Sequence, residues 1–192
     1  MLKIEQLLKR SSQEQNDSAA FERPLDLLSS CHEKILHFSS ALLKLSTTLK
    51  CEGWSGNLVT SAEQISRYFN IAGPEHHKDE EMHLFPAIIA LDPEFTKPET
   101  AELVQLINRL IKEHVESDVL WASLNSMLQE KTEDFANLYR LAGQFEAEMR
   151  RHVIIENEQI FPFAKAHISA TEFKKMGAAI AQRRGIKQLK PV

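Results

Sequence analysis

Residues 76–86 read HHKDEEMHLFP, and residues 152–162 read HVIIENEQIFP. Both stretches run His, three residues, Glu, four residues, Phe-Pro, so His76 and Glu80 match His152 and Glu156. On a helix, positions i and i+4 share a face, and each stretch aims an imidazole and a carboxylate the same way. Two such faces turned toward each other make a nitrogen and oxygen cage of the kind that holds iron. A lone His-x-x-x-Glu is weak evidence, because a chain with 8 His yields roughly one by chance. The matched surroundings give it weight.

The correspondence extends along the chain. The same offset pairs Phe69 with Phe145, Ile65 with Leu141 and Leu84 with Ile160. A second offset pairs His32 with His114, Leu28 with Leu110 and Leu42 with Leu124. The order is His-helix, His/Glu-helix, His-helix, His/Glu-helix, the pattern of a duplicated helical hairpin. Any two amphipathic helices align somewhere, which accounts for matched Leu and Phe. It does not account for His, Glu and Phe-Pro matched in one register.

A chain of 192 residues can build one domain with a substantial core. Hydrophobic residues make up 43% and charged residues 26%, with a net charge of -4, and the charges are interspersed. That pattern offers no nucleic-acid footprint. Arg183, Arg184, Lys187 and Lys190 form a short basic stretch that reads as a solvated tail. The two cysteines, Cys31 and Cys51, make neither a disulfide framework nor a Cys-x-x-Cys site. No segment has the length of a signal peptide core or a membrane span. The expectation is a cytoplasmic protein, away from membranes and compatible with a homodimer.

Three segments are expected: an N-terminal arm over 1–22, a bundle over 23–168, and a C-terminal helix with a basic tail over 169–192. The arm is polar, with Ser, Gln, Asn and Asp clustered at 11–18. A first helix starts near Pro24 and ends before Gly53. A second runs from about Asn57 to Ala90, and Gly73-Pro74 should kink or break it. A third runs from near Pro98 to about Gln129. A fourth covers about Glu133 to Ala166, with a disturbance at Pro162. Ser169 and Glu172 form a capping box that opens a short fifth helix ending at Gly185. No segment alternates like a strand, so the fold class is all-α, an up-down four-helix bundle with a short additional C-terminal helix.

Six residues are the candidate metal ligands: His32, His76, Glu80, His114, His152 and Glu156. Phe145, Met149, Ile160 and Phe163 lie on the stripe of His152, and a His and a Glu within an apolar stripe need a partner. His32 sits among Leu28, Ile35 and Leu36, and His114 among Leu110, Ile111 and Trp121. A lone His in such a place is usually a hydrogen-bonded core residue, but the duplication links these two. His77 and Glu81 point about 100° away from the ligand pair and read as outer groups. His83 has Gln159 as its counterpart and is left out, as are His37 and His167. Asp118, four residues after His114, is either a seventh ligand or a hydrogen-bond partner of a ligand imidazole. Cys31 reads as a buried, inert thiol.

Four imidazoles and two carboxylates exceed one tetrahedral zinc site and are too nitrogen-rich for calcium or magnesium. Imidazole with carboxylate suits iron, manganese or zinc, and two carboxylates between two metals can bridge them. Open positions on reduced iron would admit dioxygen or nitric oxide. The ferritin-like carboxylate class needs Glu-x-x-His on two helices. This chain has one, Glu80 to His83.

His32 with Glu33, HHKDEEMHLFP, His114 and HVIIENEQIFP together resemble the motifs of the hemerythrin-like, HHE cation-binding family, over roughly residues 22–168. The resemblance implies a four-helix bundle around two non-haem iron ions, bridged by an oxo or hydroxo group and carboxylates. Oxygen-carrying hemerythrins have two His on the third helix, where this chain has His114 and then Asp118. The six-ligand set resembles the bacterial iron–sulfur repair proteins instead, whose N-terminal cysteine-containing domain does not fit within this length. The expected function is to bind or sense O2 or NO, or to handle reactive iron. An enzyme that reduces O2, peroxide or NO, or takes part in repair of damaged iron centres, is the alternative. A third reading is an interaction bundle whose metal is only structural.

Overall fold

The computed structural model describes residues 21–186. All but the last two residues of the expected N-terminal arm lie outside that range, as do Lys187 and Lys190. Among the described residues there are helices and no strands. Helix α1 spans Pro24–Glu52, α2 Gly56–Asp79, α3 Phe85–Ile89 and α4 Pro98–Gln129. Helix α5 spans Phe135–Ile155, α6 Phe161–His167 and α7 Ala170–Arg183. A π-helical turn, Glu80–Leu84, joins α2 to α3, and a second, Glu156–Ile160, joins α5 to α6.

Two apolar clusters set the topology. One holds Ile35, Leu42, Phe69, Leu124, Phe145 and Val153. The other holds Leu28, Leu84, Phe85, Leu110, Ile160 and Phe161. Helix α1 passes from the second cluster (Leu28) to the first (Ile35), and α4 does the same from Leu110 to Leu124. The rods α2–α3 and α5–α6 run the other way, from Phe69 to Leu84 and from Phe145 to Ile160. The four rods are therefore up, down, up, down, and α1 packs on α2 and α5 while α4 packs on α2 and α5. Burying about 25 cal/mol per Å² of apolar surface at each end holds the rods together. The middle, between the clusters, is left for polar groups.

The helix ends follow the sequence. Pro24 and Pro98 lie in first turns, where a missing N–H costs nothing. Gly53 takes φ 69 just after α1. Asp134 caps α5 by accepting from the Asn137 N–H, and Ser169 caps α7 by accepting from the Glu172 N–H.

Two expectations need correction. Gly73-Pro74 does not break the second rod: Pro74 lies inside α2. A proline ring crowds the Cβ of the residue before it as well as the carbonyl four residues back, and Gly73, with no Cβ, removes the first of these clashes. The disturbance in the fourth rod precedes Pro162 and takes the form of a π turn. In each rod the Phe N–H reaches back five residues to a glutamate carbonyl: Phe85 to Glu80, and Phe161 to Glu156. The prolines that follow, Pro86 and Pro162, fall in the first turn of α3 and α6. In a straight α-helix each ring would press on the carbonyl four residues back, and the wider turn gives that carbonyl room.

The solvated basic tail is corrected in part. Arg183 donates to Glu75 and Asp79, and Arg184 donates to the other oxygen of Asp79. Asp79 is 0% exposed, and the two arginine side chains are 16% and 22% exposed. The end of α7 is thus clasped to α2, one residue before Glu80. Along its length α7 also meets the chain near its start. A Cβ on Gly177 would lie 1.7 Å from the Phe21 carbonyl oxygen, so only glycine permits this crossing.

Candidate metal centre

His32, His76, Glu80, His114, His152 and Glu156 are all buried, at 4% exposure or less, and the structure brings all six to the gap between the two apolar clusters. Ligating atoms of His32, His76, Glu80 and Glu156 lie within 4.8 Å of one another. Those of Glu80, His114, His152 and Glu156 do so as well. The two groups share both carboxylates. Each hairpin supplies the imidazoles of one group, His32 and His76 from α1 and α2, His114 and His152 from α4 and α5. Each hairpin also supplies one of the shared glutamates.

The distances are short throughout. His32 Nε2 lies 3.0 Å from Glu156 Oε2 and 3.7 Å from Glu80 Oε1. His76 Nε2 is 3.3 Å from Glu80 Oε1, and His152 Nε2 is 3.2 Å from Glu156 Oε1. His114 Nε2 is 3.6 Å from Glu80 Oε2 and 3.0 Å from His152 Nε2. Yet His32 Nε2, both nitrogens of His76 and all four carboxylate oxygens are buried without a hydrogen-bond partner. Buried polar atoms are nearly always satisfied, and each orphan costs about 1–3 kcal/mol. Six of these seven, all but His76 Nδ1, converge on one gap and fit a cation: carboxylate oxygens and imidazole nitrogens are the donors that first-row transition metals take.

Three of the four imidazoles are held from outside. His114 Nδ1–H donates to Glu81 Oε1 at 2.7 Å, and His32 Nδ1–H donates to Asn157 Oδ1 at 2.8 Å. His152 Nδ1–H donates to Glu113 Oε2 at 3.2 Å. A proton on Nδ1 leaves the Nε2 lone pair turned inward, the tautomer a metal needs. Phe161 stacks on His32 with centroids 4.9 Å apart, and Phe85 lies parallel to His114 at 6.3 Å. The two Phe-Pro motifs therefore supply the same apolar lid to each half. His77 also stacks on His114, 3.9 Å away.

Without a metal the cluster must carry its own protons. Burial drives His76 well below the usual imidazole range and His114 down to about 2, and neighbouring imidazoles push them the same way. Burial also opposes charge on His32 and His152, but Glu156 with Glu80 raises the first to about 9, and Glu156 with Glu113 raises the second to about 10. Burial lifts Glu80 to about 8, with the Glu156 charge adding to it. Glu156 is held well below the carboxylate range, because His152 and His32 outweigh its burial. Protonated imidazoles thus stand in for a positive charge at the centre.

Outside the cluster, Asp118 faces His77, 3.7 Å from its Nδ1, and is 58% exposed. It belongs to neither group. Glu81 is an outer group as expected. His167 donates to the Phe163 carbonyl, and His83 stands outside both groups. Cys31 and Cys51 are free thiols, and burial pushes the Cys31 thiol up while Arg184 opposes this. Two functional neighbours escape a reading of the sequence. Asn157 had a signal, since it matches Glu81 under the same offset that pairs His76 with His152 and Glu80 with Glu156. Glu113 had none, because its partner is on another helix.

A four-helix bundle with a buried cluster of imidazoles and shared carboxylates defines a class of metal-binding protein. The family model described as hemerythrin HHE cation binding domain matches residues 23–172, and the chain belongs to that family. It is also 29% identical over 170 residues to an uncharacterized protein of Haemophilus influenzae, covering 88% of this chain and 95% of that one. No helix among the described residues is long and apolar enough to cross a membrane.

Proposed function

We propose that this is a non-haem di-iron protein that binds or senses O2 or NO, or handles reactive iron, with His32, His76, Glu80, His114, His152 and Glu156 as the ligands. One observation carries the reading: two four-residue groups share Glu80 and Glu156, which is what two carboxylate-bridged ions require. Two iron ions held this way would supply redox-active centres with positions left for a small molecule. The chain's own residues do the rest. Leu84, Phe85, Ile160 and Phe161 exclude water from one side. Glu81, Glu113 and Asn157 fix the imidazole tautomers.

The test is elemental analysis of protein purified without chelators, with optical spectra taken anaerobically and after exposure to air. Two irons per chain and a spectrum that changes with air support the reading. His152→Ala should leave one iron or none, and His167→Ala should leave two. A His152→Ala protein that keeps two irons overturns the ligand assignment.

A further inference from the structure

The two halves of the centre match in their ligands and differ in what stands behind them. Position for position, Glu81 backs His114 where Asn157 backs His32. Glu113, directly before His114, backs His152. The residue directly before His32 is Cys31, and His76 Nδ1 is buried with no hydrogen-bond partner. One pair of imidazoles therefore has two carboxylates behind it, and the other has an amide and nothing. A carboxylate on Nδ1 raises the basicity of Nε2, and loss of such a partner costs about 10–100-fold in metal affinity.

Access differs as well. A groove of about 550 Å³ opens beside α1 and α6, lined by Ser29, His32, Glu33, Asn157, Phe161 and Lys165. Of the six proposed ligands, His32 is the one on its wall. The groove thus lies against the half with the weaker backing, with Phe161 stacked on His32 between the two.

We infer that the two metal positions are unequal by design of their surroundings: the His114/His152 position binds first and holds its ion, and the His32/His76 position is the weaker, exchangeable one that faces the groove. The inference rests on the proposed metal centre and adds an order of filling to it. The oxygen chemistry of iron plays no part in the test, which uses cobalt(II) ions alone, added to the metal-free full chain and followed by calorimetry and visible absorption.

The wild type should take up two ions in two steps separated by tenfold or more. Glu113→Gln should weaken the tighter step by about 10–100-fold and leave the other in place. Asn157→Asp should tighten the weaker step, drawing the two together. This second variant adds a partner instead of removing one, and it decides the matter if Glu113→Gln does not fold. Two ions bound in indistinguishable steps would overturn the inequality and leave the metal centre standing. So would an Asn157→Asp chain whose weaker step is unmoved. A wild type that binds no cobalt overturns the centre, and the inequality with it.

Discussion

Asp79 carries a fully buried carboxylate with a guanidinium on each oxygen, directly before the proposed ligand Glu80. Removing one member of such a set leaves charge unpaired in a poorly solvated place. Asp79→Ala should cost about 2–3 kcal/mol, read as a lower urea midpoint with unchanged slope. An equal loss from Glu75→Ala would argue against this, because Glu75 is far more exposed. The imidazoles give a pH prediction for the metal-free protein. His76, His77 and His114 have folded-state values depressed far below 6.5, His77 to about 4 and His114 to about 2. Their stability contribution is present above the unfolded value and lost as pH falls below it. His32, His152 and Glu80 are raised to about 9, 10 and 8, so their contribution fades as pH climbs through those values. The metal-free chain should be most stable near pH 6.5. It should lose roughly 1 kcal/mol on going to pH 5.5, since the three depressed imidazoles outweigh the raised Glu80, His32 and His152. The metal-loaded chain should instead gain with rising pH, because protons compete with the ion. Thermal unfolding of both forms from pH 5.5 to 9 checks this. The clustering of the six candidate residues was legible in the sequence because a duplication marked them twice. Arg183 and Arg184 were not, since a run of charge near a chain end looks the same whether it meets water or a buried aspartate.

At the scale of the element, the π turns decide which side chains cover the centre. Each adds one residue to a helix and turns everything after it by about 100°. Leu84, which ends the first turn, and Phe85 and Ile88 beyond it are fully enclosed or nearly so, while Met82 within it is exposed. Deleting Met82 would let the rod run as plain α-helix and rotate those three out of the core. The proposed ligands His76 and Glu80 lie before the deletion and would keep their places. The expected cost is about 4 kcal/mol or more, a large part of the 5–15 kcal/mol typical of a domain. A Met82 deletion that unfolds at the wild-type urea concentration would refute this role for the turn. The helices themselves could be read from apolar periodicity and from Pro24, Pro98, Ser169 and Gly185. The π turns could not, because Phe-Pro signals a disturbance without saying where it falls. The ring sits at the start of α3 and α6, and the strain it would cause is relieved upstream.

Across the whole molecule, two apolar ends grip four rods and leave the polar middle to be closed by ions, proposed as iron. The up-down order was legible because each rod carries its His or Glu between apolar stretches of matched spacing. The partnership of α7 with α2 and with Phe21 was not, because these contacts join segments far apart in the chain. Gly177 marks the crossing, and Gly177→Ala should expel Phe21 from its buried seat. Limited proteolysis near Phe21 should then speed up, while Gly143→Ala, which meets a side-chain methyl at 3.8 Å, should leave it unchanged. The clasp between α7 and Asp79 also bears on synthesis. A ribosome releases the chain N-terminus first, at about 5–20 residues per second. Every proposed ligand, the last being Glu156, emerges before Arg183 and Arg184 do. For a second or more in the life of each nascent chain, the cage is fully spelled out while its neighbour Asp79 still waits for a counter-charge.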